Sequence, residues 1–411
     1  MNVFNWYVVL NSFFYITLLC WSYKSKKRFT VGTFIISIWT VSSVCAIFYE
    51  QFNLFGHLKD ITLIPYLYLF VCFFFMVWPF ILFDESKISF IKVSPQKVRL
   101  LAFFIGLIAL LPFLESLLFY MHNYNQQDIL LDNFNERYED TSLTYKYLSN
   151  ISRKLNYISH SLRPVSLFLI LYYPVIIKSK IDKLLYTGVI VSVLLIILES
   201  QIVVARFQII FNLLLFVYIY LNIRFVYSAE FQIKIKKYLK YGAIVVVGVL
   251  IFQSSLRLFN FVEKFDVGGV SQTVYTAQYL SESMGNFNGN MFYSDARTGA
   301  DPVLKYYADL FGIDLSFLKH GSEDRFYTNL FFTVVGDFWR SYGPVATFLL
   351  FLLVPFIGFQ ILRWRFDGHL TFAKLMFMIL FARIPLMGIF YNSYYIETDQ
   401  LIMLPLLMIL I

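Results

Sequence analysis

Charge is what this chain has least of. Only 15% of its 411 residues are Asp, Glu, Lys or Arg, whereas 59% are hydrophobic and 20% aromatic. Mean hydropathy is +0.65. A polypeptide so poor in charge cannot cover a soluble surface, which excludes the water-soluble globular classes. Cysteine is scarce as well. Cys20, Cys45 and Cys72 all fall inside apolar runs and read as small packing residues, and no Cys–His spacing suits a metal. The first apolar run, Asn2 to Tyr23, has neither a basic leader nor a small-residue cleavage site, and is read as a retained helix. Internal repeats, heptads and low-complexity linkers are lacking. So are the Walker A sequence, the Gly-rich dinucleotide fingerprint, His-Glu-x-x-His and Gly-x-Ser-x-Gly. Nor is there an Asp-x-Asp of the kind that holds a metal-bound sugar nucleotide; Glu397-Thr398-Asp399 comes nearest. The acidic residues therefore call for no metal, and no motif calls for a cofactor.

What is present is a succession of apolar runs of about 20 residues, enough to cross roughly 30 Å of hydrocarbon as helices. They lack the alternation of barrel strands. The expected fold is all-α: a polytopic helical membrane protein of about 11 transmembrane helices (about 10–12), forming one membrane-embedded domain over residues 1–411. Helices are expected near 2–23, 29–49, 61–83, 100–121, 162–177, 184–199, 203–223, 241–256, 343–362, 371–390 and 400–411. The net charge of +8 has a topological explanation and does not point to nucleic acid. About nineteen of the 34 basic residues lie in five short alternating loops, those holding Lys24–Arg28, Lys87–Arg99, Lys178–Lys183, Arg224–Lys240 and Arg363–Lys374, which the positive-inside rule makes cytoplasmic.

Two long outer loops are then left, 122–161 and 257–342, both longer than simple connectors. Within the second, 273–284 and 301–311 have the pattern of short amphipathic helices lying at the membrane surface. Arginines stand out against the apolar background. Arg206 lies in a polar interruption between two central runs, flanked by Ile202–Ala205 and Phe207–Phe211. It is either an interfacial arginine reaching headgroups or a functional one. Arg383 sits inside a helix two residues before Pro385; it either serves the site or pairs with Glu397 or Asp399. Arg257, Arg297, Arg325 and Arg340 run through the second loop. Guanidinium suits a diphosphate because its fork donates two hydrogen bonds and keeps its charge; attachment to anionic headgroups is the plainer alternative. His320 is either a solvated loop histidine or a catalytic one, Asp337 either pairs structurally with Arg340 or serves the site, and Glu115 and Glu199, at outer helix ends, are positioned to neutralise an arginine or to act as a base.

Arg206 in its short outer turn, the large loop before the last helices, and the run Tyr327-Thr328-Asn329…Gly336-Asp337-Phe338…Tyr342-Gly343 together resemble the bacterial O-antigen polymerases, the Wzy-type polymerases of oligosaccharide repeat units. The spacing of Arg257 to Gly268 and of Arg325 to Gly336 also fits that family, whereas Ala205 stands where its members often have serine or glycine. The resemblance implies a GT-C-like glycosyltransferase of the bacterial cytoplasmic membrane. Its substrate would be an undecaprenyl-diphosphate-linked oligosaccharide handled on the outer face, and a chain-length regulator and a flippase would be its partners. It further implies that Arg206, Arg257, Arg325, Arg340 and Arg383 hold the diphosphate, that Tyr327 and Thr328 meet the glycan, and that His320 or Asp337 serves as base. An O-antigen ligase shares this layout. A flippase or exporter would show paired halves and short loops, and a membrane acyltransferase would want a membrane-proximal histidine with a carboxylate, which His320 and Asp324 match faintly.

Overall fold

The apolar runs fold as helices, because in hydrocarbon a helix satisfies its own backbone. The computed structural model describes residues 5–52, 61–123, 147–202, 206–237, 241–242, 248, 272–293, 333–363 and 368–391. In chain order its principal helices are α1 (Trp6–Lys26), α2 (Val31–Phe52), α3 (Leu63–Leu82), α4 (Pro95–Asn123), α5 (Asn150–Ser161), α6 (Arg163–Tyr172), α7 (Lys180–Ile202), α8 (Arg206–Ile223), α9 (Gln272–Asn286), α10 (Val334–Arg363) and α11 (Phe372–Met387). Six helices among the described residues are long and apolar enough to cross a membrane. The chain is an all-α, multi-pass membrane protein. The runs expected at 241–256 and 400–411, and the segment 301–311, lie wholly or largely outside the described residues.

The chain divides into two compact units. The first comprises residues 1–85, 262–366 and 380–398. Its centre is aromatic: Trp39 of α2 stacks against Tyr15 of α1 and lies 4.5 Å, ring to ring, from Phe73 of α3. The Trp39 indole donates to the carbonyl of Pro385, at 2.8 Å. That carbonyl is among the last of α11, where no further turn supplies a donor. Rather than lying at the surface, α9 packs into this unit. It buries Ala277, Ser281 and Met284, takes a hydrogen bond from Ser42 on the Leu280 carbonyl at 2.6 Å, and continues into a π-helical turn over Phe287–Met291.

Helix α10 begins at Val334, earlier than the sequence pattern suggests, because Thr333 caps it: its hydroxyl accepts from the Gly336 N–H at 3.2 Å. The helix breaks at Gly343, whose φ of 80° is open to glycine and strained for other residues. Pro344 follows and reinforces the break, since a residue before proline avoids the helical region. The Tyr68 hydroxyl donates to the Pro344 carbonyl at 2.6 Å.

The second unit comprises residues 86–261, 367–379 and 399–411. Helices α4 and α7 run side by side from their basic ends. Arg99 donates to Asp182 through Nε at 2.7 Å and Nη2 at 3.1 Å, and two turns on the backbones meet at Gly106 and Gly188. A Cβ built on Gly106 would lie 2.9 Å from the Gly188 Cα, so the close approach requires glycine, as small-residue contacts between membrane helices do. At the same basic end, Phe90–Lys92 pairs in parallel with His369–Thr371 as a two-stranded sheet.

Candidate functional site

The most highly built polar group among the described residues lies in the second unit, at the end of α7 away from its lysines. Its construction starts at α5. Ser149 caps that helix, its hydroxyl accepting from the Ser152 N–H at 3.3 Å. Glu115 of α4 in turn holds Ser149 by accepting from its N–H at 2.8 Å and its hydroxyl at 2.7 Å. Glu115 is thereby committed to anchoring α5. The helix then turns inside out by soluble standards: Ser152, Asn156 and Ser159 are buried while Ile151 and Tyr157 are exposed. Polar inside and apolar outside is the arrangement an apolar surround favours.

Ser152, Asn156 and His160 recur every four residues and so share one stripe of α5. Beyond Leu162 the chain re-enters a helix at Arg163, fixed there by Pro164 in the first turn. A guanidinium at the positive end of a helix is unfavourable, and this one is buried. Glu199, in the last turn of α7, compensates it. Arg163 Nη2 donates to Glu199 Oε2 at 2.6 Å, with side-chain exposures of 3% and 0%. The His160 ring meets the same oxygen, Nε2 to Oε2 2.9 Å, and keeps 20% of its side chain exposed. Nη2 of Arg163 lies 2.5 Å from that same ring nitrogen. Three polar atoms thus form a triangle, and its three edges cannot all be hydrogen bonds at once. A ring nitrogen carrying a proton donates to Glu199; the same nitrogen without it accepts from Arg163.

The candidates read from the sequence divide as follows. Arg206 is the first residue of α8, following the end of α7 at Ile202; it is at the same end of the unit as Glu199. In the first unit, Asp337 and Arg340 fall within the leading segment of α10, three residues apart and so on neighbouring positions of one face. Asp337 is buried, and its acidic charge suits the first turn of a helix. Arg383 is fully buried on α11. His320, Arg257, Arg325, Tyr327 and Thr328 lie outside the described residues, as do Glu397 and Asp399.

Around Asp337 and Arg340 the first unit supplies aromatic surface. Trp339 packs at 5.0 Å from Tyr68 and 4.5 Å from Phe292, ring to ring. Asn288, within the π-helical turn, clamps the start of α3 at two points: its oxygen accepts from the Thr62 N–H at 3.1 Å and its amide donates to the Thr62 carbonyl at 2.7 Å. Such turns often occur at functional sites. On α9, which leads into that turn, burial pushes the Glu282 carboxyl up, against an opposing hydrogen bond from Asn286.

Sequence reasoning passed over His160 and Arg163 because both fall at the boundary assigned between an outer loop and a helix. The signal that would have found them is the His-x-x-Arg step at the end of a polar four-residue stripe. Among the described residues no group of three or more His, Cys, Asp or Glu side chains is placed to hold a metal ion. Compared with family models, with curated proteins and with solved structures, the chain matches none.

Proposed function

We propose that this protein polymerises undecaprenyl-diphosphate-linked oligosaccharide repeat units into a surface polysaccharide on the outer face of the bacterial cytoplasmic membrane, as a GT-C-like glycosyltransferase with about eleven spans. The growing glycan is the donor, activated by its lipid diphosphate, and a sugar hydroxyl of a new lipid-linked unit is the acceptor. Arginines at the outer ends of the helices hold the diphosphate and stabilise the charge that builds on it as it leaves. Arg206 is foremost among them, with Arg257, Arg325, Arg340 and Arg383; Tyr327 and Thr328 meet the glycan.

The observation that carries this reading is the likeness of the Arg206 turn and of Tyr327–Gly343 to the Wzy-type polymerases. It is supported by Arg206 opening α8 at the same end of its unit as the buried Arg163–Glu199–His160 group, where an apolar surround strengthens charge interactions. The test is a gel of surface polysaccharide from a strain lacking this chain, complemented with wild type or Arg206→Ala. Restoration of a ladder by wild type, collapsing to a single repeat unit with Arg206→Ala, is the expected outcome. Loss of all surface glycan from the uncomplemented strain, single-unit band included, would point to ligation or export. A normal ladder from the variant would remove Arg206 from the mechanism.

A further inference from the structure

We propose that His160 is the proton acceptor for the attacking sugar hydroxyl, held in place by Glu199; the assignment rests on the polymerase reading above. Charge balance alone accounts for Arg163 and Glu199, since each offsets the other's burial. It does not account for His160. The imidazole is brought against a carboxylate oxygen that already has a partner, while a fifth of its side chain stays accessible. A base held by a buried carboxylate, yet reachable, is the arrangement general-base catalysis needs.

The stripe leading to His160 supports the same carboxylate: Asn156, buried one turn before it on α5, also hydrogen-bonds Glu199. The acceptor hydroxyl's O–H bond breaks as its oxygen bonds to the anomeric carbon of the donor, and the bond from that carbon to the diphosphate breaks with its electron pair leaving on the diphosphate. The proton goes to the imidazole ring and from there to solvent. Three groups bear on the resulting imidazolium. Glu199 of α7 stabilises it, as does the carbonyl end of α5, where His160 occupies the last turn; Arg163 of α6 opposes it. From α4, Glu115 is engaged with Ser149. Arg153 and Lys154 are exposed on α5 itself.

The experiment uses right-side-out membrane vesicles from the complemented strain, which carry their own lipid-linked single units, and follows polymer growth against pH for wild type, His160→Gln and His160→Gly. Each variant's amount in the membrane is measured alongside. Growth slower by about 10²–10⁴-fold in both variants, loss of the wild-type rise of rate with pH, and partial recovery of His160→Gly when imidazole is added are the expected results. Growth of His160→Gln within about threefold of wild type, far short of a general-base effect, overturns the assignment. So does a slow His160→Gln that keeps the wild-type pH profile. Wild-type vesicles that grow no polymer overturn the polymerase reading instead.

Discussion

Among the described residues of the second unit, two arginine–carboxylate pairs stand at opposite ends of α7, and they differ in what their carboxylates have left to do. At the basic end, Asp182 is fully spoken for. Ser179 and Asp182 form a capping box: the Ser179 hydroxyl accepts from the Asp182 N–H at 3.1 Å, and Asp182 Oδ2 accepts from the Ser179 N–H at 3.0 Å and the Lys178 N–H at 2.9 Å. Arg99 closes the set with a bidentate grip, its own side chain 39% exposed. At the other end, Glu199 has no cap to make. Arg163 and His160 crowd one of its oxygens, Asn156 also hydrogen-bonds the carboxylate, and one of the two sharing that oxygen is an imidazole, which can either donate or accept a proton. A pair whose bonds are all structural and a pair that includes a proton carrier call for different explanations. The first fastens a helix start. The second is the pair to which we assign a part in the proposed chemistry.

That contrast can be broken most forcefully at Arg163. Arg163→Ala leaves Glu199 buried without its countercharge, and a loss of about 3–5 kcal/mol is expected, read as a steep fall in the heat-denaturation midpoint of the chain in mild detergent. Replacing both partners together, Arg163→Met with Glu199→Leu, removes the burden as well as the bond. Stability is then expected to return to near wild type, or to exceed it by about 1–4 kcal/mol, while polymer growth stays lost. Recovery of growth in that double variant would show that the pair is structural after all.

How much of this was legible beforehand depends on the kind of signal. The membrane-helix architecture was, because twenty-residue apolar runs have few other solutions in lipid. The position of Arg206 at a helix start was also legible, since Glu199, Ser200 and Gln201 interrupt the apolar pattern just before it. The break at Gly343–Pro344 was visible but misplaced in meaning: it reads as the start of a helix, whereas Thr333 had already started one through a cap that hydropathy does not register. Helix α5 was missed for a related reason. Its buried face is the polar one, so a scan for apolar residues assigns it to a loop. The pairing of His160 and Arg163 with Glu199, thirty-nine and thirty-six residues further on, is tertiary and leaves no local trace.

Smaller effects sharpen the comparison at the basic end. Ser179→Ala removes one half of the capping box and is expected to lower stability by about 1 kcal/mol, with polymer growth per folded molecule unchanged. Gly343→Ala places a residue with a Cβ at φ 80° and ψ 176°, a combination essentially reserved for glycine, and is expected to cost about 1–3 kcal/mol, in the other unit and without touching either pair.

The smallest effect is expected from Arg99→Gln. Asp182 would keep both backbone N–H donors and its place in the cap, so the carboxylate is not left stranded as Glu199 would be. Arg99 itself is substantially open to solvent, where much of the attraction is lost to water and side-chain ordering offsets part of the remainder. The fall in the denaturation midpoint should be less than for Ser179→Ala, and it should shrink further as salt is raised, because an exposed charge is screened and a buried one is not. The corresponding loss for Arg163→Ala should hold its size across the same salt series. If the two losses instead fell together with salt, the triangle at the far end of α7 would be open to solvent, and the distinction between a fastening pair and a reactive one would have to be drawn on other grounds.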